Sequence, residues 1–254
     1  MKIKILTLFP EMFDGFMSNS IIKRAIAKGA VQIQIYNIRD YTTDKHGRVD
    51  SAPIGGGAGL IMKCQPILDC LNAAREEDSY VILLSPRGNV LNQAKVHHFV
   101  KNIDNLIIIC GHYEGVDERV NDYVDELVSL GDFILTGGEI GAMAISDSII
   151  RLIDGVIADE STIEESFEDG LLEYPQYAEP YDYDGQKVPD LLYSGNHQAI
   201  NKWRKKQSLH LTKKCRPDLF QKYPLTKDDE KLLKEEKMPQ WEKDAIEKGH
   251  KFIK

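Results

Sequence analysis

Cysteine is scarce. Cys64, Cys70, Cys110 and Cys215 are the only four in 254 residues; no two stand at CxxC spacing, so neither a disulfide framework nor a zinc site is indicated. Long apolar runs are lacking as well: Val81–Leu84 and Leu106–Cys110 fall far short of the roughly 20 residues that cross a bilayer. The opening Met1–Pro10 has no apolar signal core and no small-residue cleavage site, and its alternation of charge and apolar side chains predicts a first strand, with the cytoplasm as the compartment. Neither glycine nor proline is in excess, and 42% hydrophobic with 28% charged residues is the composition of an ordinary globular protein, which excludes collagen-like, coiled-coil and low-complexity chains. The length suits one large domain or two modest ones.

Excess positive charge is also absent. A formal net charge of −8 argues at first sight against a nucleic-acid partner, because polyanion binding rests on Lys and Arg neutralising phosphates. The sum hides a segregation. Residues 157–194 hold 11 Asp and Glu against one Lys, net −10, whereas residues 196–222 hold 8 Lys and Arg against one Asp, net +7.

Up to about residue 155, short β-branched runs alternate with helical periodicity, which predicts an α/β domain with a mainly parallel sheet. The expected strands are Ile3–Phe9, Val31–Ile38, Tyr80–Ser85, Leu106–Cys110 and Phe133–Leu135. The expected helices are Ile21–Lys28, Gln65–Arg75, Asn92–Lys101 and Gly141–Ile153. The continuous Ile107-Ile108-Ile109 predicts burial on both sheet faces. The acidic stretch Ala158–Asn196 has prolines, tyrosines and no helical period, and reads as a long linker. His197–Ser208, Arg216–Tyr223, Lys227–Lys237 and Gln240–Lys251 then read as short helices of a small, basic helical domain.

Pro53-Ile54-Gly55-Gly56-Gly57-Ala58-Gly59 is a glycine-dense loop that is neither a Walker A nor a dinucleotide fingerprint; a structural turn and a substrate loop both remain open. Three further glycine-bearing turns carry more weight together: Leu84–Gly88, Cys110–Arg119 and Ser129–Glu139. Each lies at or near the carboxyl end of an expected strand, where open α/β sheets bind ligands. His112 alone reads as a polar loop residue, since no second His stands at metal spacing. The residues by themselves leave two classes open: an enzyme with an adenine-containing cofactor and a linker carboxylate as base, or a nucleotide-sensing or RNA-binding module without chemistry.

Six motifs, in order, resemble the bacterial TrmD family of tRNA (guanine-N1)-methyltransferases: Leu8–Phe13, Gly55–Gly57, Cys110–Arg119, Ser129–Glu139, Gly170–Tyr177 and Leu192–His197. The likeness runs from residue 1 to about 225. It implies methyl transfer from S-adenosylmethionine to N1 of guanine 37 in tRNA; within the knotted superfamily, methylation of another RNA base is the alternative. It also implies a SPOUT-type α/β domain with a C-terminal deep trefoil knot over residues 1–157, a linker over 158–195 that carries the base, and a small all-α, tRNA-binding domain over 196–254. A homodimer with active sites shared between subunits is implied too. By position, the cofactor contacts fall on Leu84, Ser85, Pro86, Gly88, Gly111, Tyr113, Glu114, Leu130, Gly131, Asp132, Phe133, Ile134, Leu135, Gly137 and Gly138.

N1 of neutral guanine carries a proton, so a base must remove it while a cation stabilises charge growing at O6. In the resemblance the cation is Arg151 and the base is the carboxylate before a Ser-Phe pair. That carboxylate is Glu165 here, where the family usually has Asp, with Asp169 and Glu164 as nearby alternatives. Ile54 stands where an aromatic residue is usual, and Ile140-Gly141 where Leu-Pro is common. Lys202, Arg204, Lys205, Lys206, Lys213, Lys214 and Arg216 are expected to meet tRNA phosphates, with Trp203 either in the core or stacked on a base.

Overall fold

The protein is described from a computed structural model over residues 1–158, 162, 164–235 and 237–249. It divides into two compact units, Met1–Asp159 and Glu160–Lys254.

The first unit is built on five strands: β1 (Lys2–Thr7), β2 (Gln32–Asn37), β5 (Ser79–Val90), β6 (Asn105–Ile109) and β7 (Glu126–Ser129). They are ordered β2-β1-β6-β5-β7 and every neighbouring pair is parallel, as the alternating pattern predicts. A short antiparallel pair, β3 (Asp50–Ser51) and β4 (Ile61–Met62), stands apart. Period-two alternation sends successive side chains to opposite faces. Ile3, Ile5, Leu106 and Ile108 pack with Ile22, Phe99, Ile145 and Ile149 on one face. Leu6, Ile107 and Ile109 pack with Ile67 and Leu71 on the other. Full burial of each such side chain is worth about 1.5–3 kcal/mol. The covering helices are α1 (Asp14–Ser18), α2 (Ser20–Ala27), α3 (Cys64–Ala74), α4 (Gln93–Asn102) and α5 (Glu139–Ile150).

One expected strand is corrected. Phe133–Leu135 is not a strand; the fifth strand is β7, a few residues earlier. The apolar triplet misled because it looks like a buried run, whereas Phe133 and Ile134 are 55% and 80% exposed.

The second unit opens with the acidic stretch, which carries a two-stranded ribbon of β8 (Asp182–Tyr183) and β9 (Gln186–Lys187). Its helices are α6 (His197–Cys215), α7 (Pro217–Phe220), α8 (Lys227–Lys234) and α9 (Gln240–Gly249). The Asn196 side chain accepts the Ala199 N–H and so caps α6, while Thr226 and Asp229 form a capping box on α8. Leu171 and Leu191, both from the acidic stretch, are buried. Leu171 packs with Leu209 and Leu232, Leu191 with Ala199, Trp203 and Ala245. Trp203 therefore takes the core alternative.

Candidate active site

The irregular middle of β5, after Leu84, and the carboxyl ends of β6 and β7 open into one cleft of about 400 Å³, within the size range of small-molecule sites. Its walls are Leu84–Pro86, Gly111–Gly115, Val128–Gly131 and Phe133–Gly138, with Gly141 behind. Parallel strands make this geometry, because the loops that leave neighbouring strands gather at one edge of the sheet. Across the cleft, His112 and Gly137 form an antiparallel bridge, and the Gly138 N–H donates to Gly111 O at 2.8 Å. A Cβ at Gly138 would stand 2.7 Å from Cys110 Cα, so only glycine permits this approach. Tyr113 holds φ of +60°, a conformation uncommon for a non-glycine residue, and its ring meets His112 edge-on at 5.0 Å. The His112 ring also lies 4.9 Å from that of Phe9.

Leu84, Ser85, Pro86, Gly111, Tyr113, Glu114, Leu130, Gly131, Phe133, Ile134, Leu135, Gly137 and Gly138 are thus gathered at one cleft. Gly88 and Asp132 are not among its lining residues. Gly88 instead lets β5 run against the backbone of β7 at Leu127 and Val128, beside the irregularity where Leu84 and Asn89 share the partner Val128. Asp132 is exposed. His112, read from sequence as a polar loop residue, lines the cleft, and no spacing signal marked it. The Pro53–Gly59 loop does not line it; Ile54 is fully exposed.

Arg151 is the C-cap of α5, its N–H bonded to Asp147 O at 3.1 Å, and a cation there complements the negative end of the helix.

In the second unit, Glu165 lines a cavity of about 240 Å³ with Glu164, Asp169, Leu172, Glu173, Tyr174, Asn201, Arg204, Lys205 and Ser208. The segment that presents it closes on itself. Phe167, with φ of +79°, donates its N–H to Leu171 O at 2.8 Å, and Ser166 Oγ accepts the Glu173 N–H at 2.9 Å. Both alternative acids have cationic neighbours. Glu164 accepts the Tyr174 hydroxyl at 2.9 Å and lies 3.7 Å from Arg204. Asp169 accepts Lys205 Nζ at 3.1 Å. Burial, then the bond to Glu164, pushes the Tyr174 hydroxyl above its usual range. Burial pulls Lys205 down, but the Tyr223 hydroxyl and Asp169 outweigh it and leave it raised.

The cations expected to meet phosphates do not form a bare positive face. Lys206 is corrected: it is 3% exposed and points inward, 3.6 Å from Glu235. Its place on the core stripe of α6, between Trp203 and Leu209, explains why. Lys202 also pairs with Glu235, at 3.2 Å, under the Trp241 ring. Arg216 chelates Asp218 at 2.7 and 2.9 Å. Lys213 and Lys214 are exposed and, among the described residues, have no carboxylate partner. Burial, then Lys206 and Lys213, holds the exposed His210 imidazole below its usual range.

Fold and cleft together define an α/β protein with a parallel five-stranded sheet and a cleft of small-molecule size walled by the loops that leave its strands. The family model described as tRNA (Guanine-1)-methyltransferase TrmD matches residues 1–222, and the chain belongs to that family. A tRNA (guanine-N(1)-)-methyltransferase of Clostridium botulinum strain Hall is 54% identical over 237 residues, 92% of this chain and 98% of the relative. One from Clostridium perfringens is 53% identical over 92% and 99%, and one from Dictyoglomus turgidum 51% over 92% and 96%.

Proposed function

We propose that this chain transfers a methyl group from S-adenosylmethionine to N1 of guanine 37 in tRNA. The observation that carries the reading is the coincidence of two independent assignments: thirteen of the fifteen residues that the resemblance gives to the cofactor line one cleft at the strand ends. The cleft suits the group. Gly138 brings backbone close enough that a side chain has no room, while Leu84, Leu130 and Leu135 offer apolar surface to an adenine ring. When bound, the cofactor supplies an electrophilic methyl group.

Glu165 removes the N1 proton, so that the ring nitrogen's lone pair is available in line with the carbon–sulfur bond. Arg151 stabilises the negative charge that spreads to O6 as the proton leaves. Glu114, at the cleft, is a carboxylate able to face the methionine ammonium. The wider arrangement is that of the family: a deep trefoil knot in the C-terminal half of a SPOUT-type domain over 1–157, a substrate linker over 158–195, and a tRNA-binding domain over 196–254. Active sites are shared within a homodimer in the cytoplasm. Lys213 and Lys214, with Lys202, Arg204, Lys205 and Arg216 once their acids are displaced, meet tRNA phosphates.

Single-turnover methylation tests the assignment. Glu165→Gln is expected to lower the rate by roughly 10²- to 10⁴-fold, the usual worth of general base catalysis, and Arg151→Ala by about 10²- to 10³-fold. A near-wild-type rate for Glu165→Gln would remove Glu165 from the mechanism.

A further inference from the structure

Two buried polar side chains stand behind the cleft and take no part in the reaction above. Thr7, at the end of β1, has no exposed surface, and Glu139, the first residue of α5, is 2% exposed. Thr7 Oγ1 donates to Glu139 Oε1 at 2.8 Å and accepts the Phe9 N–H at 2.9 Å. The second oxygen, Oε2, fills the space that a Cβ at Gly137 would need, and the His112 ring shares that space. Placing a carboxyl group inside a protein is costly unless it is hydrogen-bonded, and Thr7 supplies such a bond here.

We propose that Glu139 is a positioning residue for the cofactor. The inference rests on the cleft being the S-adenosylmethionine site. Gly137 and Gly138 have no side chains with which to anchor the turn that walls the cleft, so the turn is held from behind. Glu139 is pinned to the end of β1 by Thr7 and fills the gap under Gly137 and His112. The bridge between His112 and Gly137 therefore keeps one spacing, and with it the backbone on which the ligand lies. A fixed wall of this kind lowers the ordering cost of binding. The neighbourhood matches a rigid role: Cys110 lies wholly buried beneath, and the Gly138 N–H bond to Gly111 O closes the same corner.

The test is calorimetric binding of S-adenosylhomocysteine to the full chain, with tRNA affinity measured in parallel. Glu139→Ala is expected to weaken the nucleoside by about 10- to 100-fold and leave tRNA affinity unchanged. Thr7→Val keeps the shape but loses the hydrogen bond, and is expected to lose about tenfold. Glu139→Gln still accepts the Thr7 hydroxyl and fills the gap, so it recovers most of the affinity. Parent affinity in a folded Glu139→Ala protein overturns the proposal, as does a Glu139→Gln variant as weak as Glu139→Ala. If Glu139→Ala does not fold, Thr7→Val decides, and parent affinity there overturns the proposal. Failure of the parent protein to bind S-adenosylhomocysteine removes the reading of the cleft as well, whereas parent binding with unaltered variants removes this inference alone.

Discussion

Arg204 lies over the ring of Tyr174, 4.6 Å from its centroid, while the hydroxyl of the same tyrosine donates to Glu164, the immediate neighbour of the proposed base. The ring and its hydroxyl thus tie α6 to the segment that carries Glu165. Tyr174→Phe keeps the stack and loses only the bond to Glu164. The expected outcome is a stability change under about 1 kcal/mol, since the pair is partly solvated, with kcat reduced several-fold at unchanged KM for S-adenosylmethionine. Steady-state kinetics beside chemical denaturation check it.

Charge on β1 predicts an acid branch to the stability curve. Lys4 is 2% exposed and donates to Ala74 O and to Glu76 Oε1. Hydrogen bonds from Lys2 and then Lys4 hold the Glu76 carboxyl at about 2. A depressed carboxylate contributes stability that is present above its unfolded value, near 4.5, and is lost as pH falls from there through about 2. Thermal unfolding should therefore show Tm falling across that window. Glu76→Gln should be less stable at pH 7, because Lys4 loses its counter-charge, and should show a flatter acid branch.

Thiol chemistry should sort the cysteines by depth. Burial pushes the Cys70 thiol up to about 12, and burial with Glu139 beside it pushes Cys110 far above the usual thiol range. Burial raises Cys64 too, whereas Cys215 is exposed. Since the thiolate is the reactive form, alkylation at pH 8 followed by peptide mapping is expected to label Cys215 first and Cys64 slowly. Cys70 and Cys110 should react only when the protein unfolds.

The salt dependence of tRNA binding should be shallower than the count of basic residues in 196–222 suggests. Cations already held by Glu164, Asp169, Asp218 and Glu235 exchange one anion for another when phosphate arrives, while Lys213 and Lys214 release condensed counterions. Lys213→Gln with Lys214→Gln should weaken binding and flatten the plot of log affinity against log salt by about 1 to 2. Lys206→Gln should lower stability and leave that slope intact.

How much of this was legible in the sequence depends on what kind of signal each residue carries. Period-two and continuous apolar runs placed β1, β2, β5 and β6, because a buried strand writes its environment into its side chains. The run Phe133-Ile134-Leu135 carries the same signal for a different reason, as exposed apolar wall of a cleft, and so was misread as a strand. Glycines marked the turns that form the cleft but not which of them faces it: Gly88 serves strand packing and Gly138 the cleft. Pairings between distant residues left no local trace. Nothing near Thr7 points to Glu139, 132 positions away, and nothing in α6 says that Asp169 and Glu164 sit beside Lys205 and Arg204. The basic character of α6 was readable; its internal neutralisation was not.

The place of β1 in the sheet constrains how the chain can be made. It pairs on one side with β2, some thirty residues on, and on the other with β6, where Ile3 stands opposite Leu106. A ribosome adding about 5–20 residues per second needs roughly 5–20 s to deliver β6 after β1 has emerged. Through that interval Ile3, Ile5 and Leu6 have one strand edge and much of their apolar surface uncovered. Ile3, Ile5 and Leu6 thus complete their pairing only after four intervening strands' worth of chain has been made, so the interval exposes a strand edge that transient cover by a nascent-chain chaperone would protect.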